Sequence, residues 1–467
     1  MNNKKITVNI GMFTIGLQAY WSQMPGMKDE ILEYSKIIEG KLSTLGKVFN
    51  LGIIDNIKDA RKAEELFISK DIDIIIIHCA TYGLSSIVAA AIRRCNVPIL
   101  TLHLQPVDNF LSGSYDTSYT LPKNTFAASG ELGEMLKRTN KVFHCICGKL
   151  YDDIRPWDVI KEWTRAVSIK KALRKCNIGV IGNYFSGMTD LYVDGLLLID
   201  KLGINLEFLE IANLRKLIEI VSDNEINKKY EFVRQIFNFD NDINKEKLKW
   251  CLKVAVGMEK LINEFELNAL AFHYSGYPDS IEEKIGYSLT LGGTLLTGSG
   301  IPCVAEGDIK VAIAMFILGF FNGGATQAEH YYADYNKQVN YVSHSGPGDY
   351  SIANKKPLLK WLDFFHGKRG SGVSCEFSIK EGPITLLSLV LSENNDLKFA
   401  ATEGIALPNY INSGEVTTRI KFSPNIREFI EKWTEEGPSH HSAMGLGHHI
   451  REIEKVAEVL GIKMSII

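Results

Sequence analysis

Glu306, Gly307 and Asp308 stand in a row, and a long apolar run, IKVAIAMFIL, begins directly behind them. That order reads as a strand end, a turn and a helix start. Asp308 suits a helix N-cap, where a carboxylate accepts from free backbone N–H groups and the macrodipole favours an anion. Glu306, one step nearer the strand, lies where α/β folds put their ligands. Further on, QAEHYYADYNKQVNYVSHSGPGDYS (327–351) offers Glu329, His330, Asp334 and His344 in one window, and EEGPSHHSAMGLGHHI (435–450) carries His440-His441 and His448-His449. Seven of the eleven histidines fall between 330 and 449, so imidazole is concentrated in the C-terminal third. Two carboxylates and two imidazoles from separate segments suit an octahedral site for Mn²⁺ or a similar divalent ion. Tetrahedral zinc with thiolate is less natural, because Cys303 is the only thiol nearby in sequence.

The two histidine pairs read differently. Gly437-Pro438 predicts the end of a helix and a loop that presents His440-His441. His448-His449 open an amphipathic helix with Ile450, Ile453 and Val456 at helical spacing, which makes them surface or packing residues.

These groups need a frame to position them. From 1 to about 172, short apolar runs alternate with amphipathic segments. ITVNI (6–10) reads as a strand with period-2 alternation, DIDIIIIH (71–78) precedes LSSIVAAAIRRC, and VPILTLHL (97–104) follows. Continuous Ile/Val/Leu runs between helices mean a parallel sheet covered on both faces. Its strand ends offer Gln18 and Tyr20, then Thr81 and Tyr82, then Gln105 with Asp108. A second α/β unit starts at NIGVIG (177–182), with Asn183 to Gly187 as a strand-to-helix turn, and runs to about 325. After 370, GVSCEFSI, GPITLLSLVLS, LKFAATEG and EVTTRIKF read as strands of a barrel or sandwich, closed by a final helix. The fold class is therefore α/β: two open parallel-sheet domains, 1–172 and 173–325, then a β-rich, barrel-like domain, 326–467.

Bulk numbers remove some function classes. Single cores stop growing at roughly 250 to 300 residues, so 467 residues suggest several domains. With 52 basic against 55 acidic residues and no long charge run, nothing argues for a grip on nucleic acid or membrane. No apolar run reaches the roughly 18 to 20 residues of a membrane span, and the N-terminus lacks a continuous apolar signal region, which gives a cytoplasmic expectation. The eight cysteines are scattered, and Cys145-Ile-Cys147 lacks CxxC spacing, so reduced thiols are expected. No GxGxxG or GxxxxGK[ST] supports a nucleotide cofactor.

VAEGDIKVAIAMFIL, the acidic-aromatic segment leading to SHSGPGDY, then HGKRGSGVSCEF and EGPSHH, in that order and spacing, resemble the L-arabinose isomerase and L-fucose isomerase superfamily, in particular its arabinose-isomerase-like members. The resemblance spans the C-terminal half. It implies two α/β domains and a β-rich one, a divalent metal, usually Mn²⁺, on two carboxylates and two histidines, and interconversion of aldoses and ketoses through an enediolate. Carried over residue by residue, it implies Glu306, Glu329, His344 and His441 as metal ligands, with Asp334 as the rival to Glu329. Glu306 and Glu329 are then the acid-base pair. His440 becomes a sugar-hydroxyl contact or a support for its neighbour, and Gln18, Tyr20 and Gln105 either bind sugar, across a subunit interface of a homo-oligomer, a hexamer or tetramer, or are satisfied polar groups at loop starts. Lys368 and Arg369 read either as an anchor for an anionic sugar or phosphate or as a solvated turn before a strand. The alternatives are another divalent-metal carbohydrate enzyme acting on a modified sugar or sugar acid, and a non-catalytic sugar-binding protein.

Overall fold

The computed structural model describes residues 6–108, 116–274, 276–321, 323–363, 370–409 and 411–467. The chain divides into two compact units, one ending at Lys171 and one comprising Ala172–Ile467.

In the first unit five strands, β1 (Asn9–Ile15), β2 (Lys47–Ile54), β3 (Ile74–His78), β4 (Ile99–Gln105) and β5 (Phe143–Lys149), form a parallel sheet in the order β2-β1-β3-β4-β5. The order reverses at β1/β3, the switch point at which doubly wound sheets open a crevice. The first strand differs from expectation. It starts at Asn9 rather than Ile6, and every residue from Ile10 to Ile15 is buried. A parallel strand with helices over both faces has no wet side, so the period-2 reading of 6–10 took a lead-in segment for the strand.

The second unit contains β6 (Asn177–Gly182), β7 (Asn205–Leu209), β8 (Asn238–Phe239), β9 (Ala269–His273) and β10 (Cys303–Val304); four of them form a parallel sheet, order β10-β9-β6-β7. After β6 the chain does not turn straight into a helix. It passes through a 3-10 turn at Thr189–Leu191 before the helix Gly195–Leu202.

The rest of that unit is β11 (Ala325–Asp334), β12 (Val339–His344), β13 (Leu358–Asp363), β14 (Ser371–Glu376), β15 (Gly382–Leu391), β16 (Leu397–Leu407), β17 (Val416–Phe422), β18 (His441–Leu446) and β19 (Lys463–Ile466). Six of these run β15-β18-β11-β12-β17-β16, and β16 pairs back onto β15, which closes an antiparallel barrel. Closure removes the free sheet edges that an open sheet would have to protect. Two expectations change here. GVSCEFSI supplies β14, which pairs with β13 and β8 in a separate three-stranded sheet rather than in the barrel. The final helix, Ile450–Leu460, is not the last element: a left-handed Gly461 turns the chain into β19, parallel to β16.

The helix Ile309–Leu318 packs against β9 and β10 on one side and β15 and β18 on the other. All its residues but Phe316 are buried. That sandwiching explains a helix that is apolar everywhere but at Lys310, whose ammonium donates to the Asp190 carbonyl. It also fixes the position of whatever precedes its first turn.

Candidate active site

Strand pairing assembles half of the site. Antiparallel β11 and β18 place Glu329 directly opposite His441, and β12, on the other edge of β11, places Ser343 opposite Glu329 and ends at His344. Directly paired residues share a sheet face, with Cβ atoms about 4.5–5.5 Å apart. The same alternation turns His330 the other way. Its ring lies among Phe422, Phe429 and Trp433, and burial lowers its pKa to about 4. Asp334 lies five residues beyond Glu329, about 17 Å along an extended strand, where its Oδ1 accepts from the Lys337 N–H at 2.9 Å in the β11–β12 hairpin.

His441 departs from the loop expected for it. Gly437, at φ 70°, does end the helix Ile426–Glu436, but only Pro438, Ser439 and His440 precede β18. A buried backbone has to bond its N–H and C=O groups, and β11 and β15 provide the ladders.

The other half comes from a strained turn. Glu306 has φ 64° and ψ 8°, a left-handed conformation that costs a non-glycine residue about 1–3 kcal/mol. Its carbonyl accepts from the Phe185 N–H at 3.1 Å, and the Ala305 N–H donates to Gln327 Oε1 at 3.1 Å. Gly307 follows at φ 76°, where a Cβ would stand 2.7 Å from the Asn183 carbonyl oxygen. The turn thus holds its shape through bonds to two other segments.

Glu306 Oε2 lies 3.5 Å from His441 Nε2 and 3.6 Å from His440 Nε2. The Nε2 atoms of His441 and His344 are 3.2 Å apart. Ligand atoms of Glu306, His440 and His441 fall within 4.8 Å of one another, as do those of Glu329, His344 and His441. His441 is common to both groups. His441 thus links two groups, Glu306 with His440 on one side and Glu329 with His344 on the other, and the His440 ring lies 3.9 Å from that of His441.

Hydrogen bonds assign the tautomers. His441 Nδ1 faces the fully buried Asp308 carboxylate at 3.3 Å and so carries the proton, which leaves a lone pair on Nε2. Asp308 Oδ1 meanwhile accepts from the Val311 N–H at 3.1 Å, so one carboxylate both caps the buried helix and orients the histidine. His344 Nδ1 accepts from the Gly346 N–H at 2.8 Å, and its Nε2 faces that of His441.

His440 is fixed by a residue that the sequence did not single out. Asp190, on the 3-10 turn after β6, accepts from the His440 backbone N–H at 3.0 Å and from Nδ1 at 2.7 Å. Burial opposes the charge on His440, but Glu306 and Asp190 outweigh it and raise its pKa to about 9. Burial likewise works to raise Asp190, and the bonds to His440 prevail and hold it below the usual carboxylate range. Desolvation, followed by the charges of Glu415, Glu329 and Glu306, pushes the Tyr331 hydroxyl upward, which marks Tyr331 as a neighbour of the cluster.

Gln18, Tyr20 and Gln105 belong to the first unit. Gln18 and Tyr20 lie on the helix Gln18–Gln23, and Gln105 ends β4, its Nε2 donating to the Lys123 carbonyl at 3.2 Å. His449 caps the final helix and bonds Glu452 at 2.7 Å, the packing role expected of it. Lys368 and Arg369 lie outside the described residues.

The donor set has the chemistry of a divalent-cation site. Two carboxylates and two imidazoles, one oriented by a buried carboxylate, suit a hard to borderline ion, and the carboxylate–histidine arrangement is the usual second layer around a metal. Cys303 is fully buried, and that burial holds its thiol well above the usual thiol range, so it offers no thiolate.

The barrel and the segments flanking it match a family model. Residues 324–463 match the L-arabinose isomerase C-terminal domain, and over a longer stretch the chain is similar, at low identity, to proteins named L-arabinose isomerase. Among individual proteins it is similar to the L-arabinose isomerase of Shouchella clausii (strain KSM-K16), 21% identical over 402 residues that cover 84% of this chain and 81% of that one. It is also similar to the L-arabinose isomerase of Oceanobacillus iheyensis, 22% identical over 286 residues, 57% of this chain and 58% of the relative. L-arabinose isomerase 2 of Bacillus licheniformis is 23% identical over 262 residues, 53% of each chain.

Proposed function

We propose that the chain interconverts an aldose and its ketose at the His441 cluster, through an enediolate. The observation that carries this reading is the shared position of His441 in two groups of ligand atoms, one with Glu306 and one with Glu329 and His344. The relatives named L-arabinose isomerase support the reaction class. In the forward direction one carboxylate takes the C2 proton of the aldose, a proton returns at C1, and the hydroxyl proton passes from O2 to O1. Glu306 and Glu329 are the acid-base pair, since both carboxylates reach the same imidazole. His440, anchored by Asp190, offers Nε2 to a sugar hydroxyl. A divalent ion on Glu306, Glu329, His344 and His441, with Mn²⁺ as the first candidate, supplies Lewis acidity for the two reacting oxygens when bound. Gln18, Tyr20 and Gln105 bind sugar from a neighbouring subunit of a cytoplasmic homo-oligomer, a hexamer or tetramer.

The test is a panel of pentoses, hexoses and sugar acids with Mn²⁺, wild type beside Glu306→Gln. Turnover of an aldose by wild type and its loss in the variant are expected. Full activity in Glu306→Gln would sink the mechanism. Turnover of a sugar acid but of no aldose would select the alternative metal enzyme.

A further inference from the structure

The second unit holds a cavity of about 930 Å³ that shares no lining residue with the His441 cluster. It lies where the helix Lys245–Glu264 meets the first turn of the helix Asp223–Ile236 and the β13/β14 end of the three-stranded sheet. Among the described residues, Lys247, Lys249, Lys253 and Lys284 line it, against the carboxylates of Asp223 and Glu246, so the described walls carry an excess of two positive charges. Between those heads the lining is apolar and aromatic, with Trp250, Trp361, Tyr287 and Ile226.

The lysines are held in two ways. Lys249 is paired with Asp223 at 2.9 Å. The ammonium of Lys247 instead lies 4.7 Å from the Trp361 ring centroid, and that of Lys284 lies 4.7 Å from that of Trp250. An exposed cation–π contact is weaker than a hydrogen bond to a charged group. An anion entering the cavity therefore outbids the indoles for these two heads. The indoles themselves are fixed: Trp361 Nε1 donates to Ser371 Oγ at 2.8 Å, and Trp250 Nε1 to the Lys284 carbonyl at 3.3 Å. With both N–H groups satisfied, what each indole offers a ligand is its face.

We propose that this cavity binds a small organic phosphate bearing a flat ring, a nucleoside monophosphate in class. The lysine heads take the phosphate and the freed indole faces take the ring. Two surplus positive charges match a phosphomonoester, which carries about −1.5 to −2 at neutral pH, and the volume lies within the roughly 300–1,000 Å³ of small-molecule sites. The site is independent of the isomerase reading.

The probe is AMP, with inorganic phosphate and adenosine as its two halves, titrated into the full chain by calorimetry and tryptophan fluorescence at low salt. Saturable quenching by AMP is expected, with a Kd about tenfold or more below that of either half. The double variant Lys247→Gln/Lys284→Gln is expected to raise the AMP Kd by about tenfold or more, the loss of about one charge-assisted bond. Lys253→Gln serves if the double variant melts early, and a severalfold rise is expected there. AMP binding that is absent up to ~10 mM, no tighter than phosphate, or unchanged in the lysine variants would overturn the proposal.

Discussion

Glu306 and Glu329 reach the same imidazole from opposite kinds of backbone. The turn Ala305–Asp308 is strained, left-handed at two successive residues, and held by a bond from the Phe185 N–H and one to Gln327 Oε1. The β11 ladder is unstrained at Glu329 and paired on both edges, by β12 and β18. The turn stores energy that its neighbours must offset, while the ladder holds its carboxylate as part of ordinary barrel stability. One side of the site is therefore sensitive to backbone changes and the other to strand pairing.

The largest effect expected is chemical and should not separate the two sides. Glu306→Gln and Glu329→Gln should each lower kcat by about 10²–10⁴, read on the aldose panel, with melting temperatures near wild type. A variant that keeps full kcat would remove that carboxylate from the acid-base pair. The next substitution separates them. Gly307→Ala places a Cβ 2.7 Å from the Asn183 carbonyl at φ 76°, and should destabilise the turn by about 1–3 kcal/mol and lower activity, while β18 keeps its hydrogen-exchange protection. Loss of protection across the barrel strands as well would show the two sides to be one cooperative element.

Asp308→Asn sharpens the comparison further. Asparagine caps a helix nearly as well as aspartate, so the melting temperature should hardly move, but the charge that orients His441 is lost. Mn²⁺ affinity should weaken about 10–100-fold, measured by calorimetry; unchanged affinity would leave Asp308 as a cap alone. The smallest effect belongs to Asp334→Asn, at the exposed hairpin of β11. Activity and Mn²⁺ affinity should stay at wild type, with stability within about 0.5 kcal/mol. A large loss would restore Asp334 as the ligand.

Much of this was legible in the sequence, for reasons that differ by element. The Ile/Val/Leu runs of β3 and β4 announce a doubly covered sheet, and the 309–318 helix, apolar but for Lys310, announces its own burial. Glu306 and Asp308 were readable because a strand end and a helix start mark positions that local chemistry constrains. Asp190 was not, since it meets His440 across 250 residues of chain and its own segment carries no signal beyond following a strand. Asp308 was seen as a cap because capping is local, whereas its bond to His441 depends on where β18 lies. β14 was drawn into the barrel because its alternation fits any sheet, and its partner β8 is only two residues long. β1 was misplaced because burial on both faces removes the alternation that marks a half-exposed strand.

The opposition of Glu329 and His441 sets the order in which this protein can become active. These residues are 112 positions apart in the chain, and they face each other only once β18 has slotted between β11 and β15. Until β18 is paired there, Glu329 and His441 belong to separate pieces of chain. Recovery of sugar turnover during refolding is thus a clock for ring closure, and it should lag any signal that reports the parallel sheets alone.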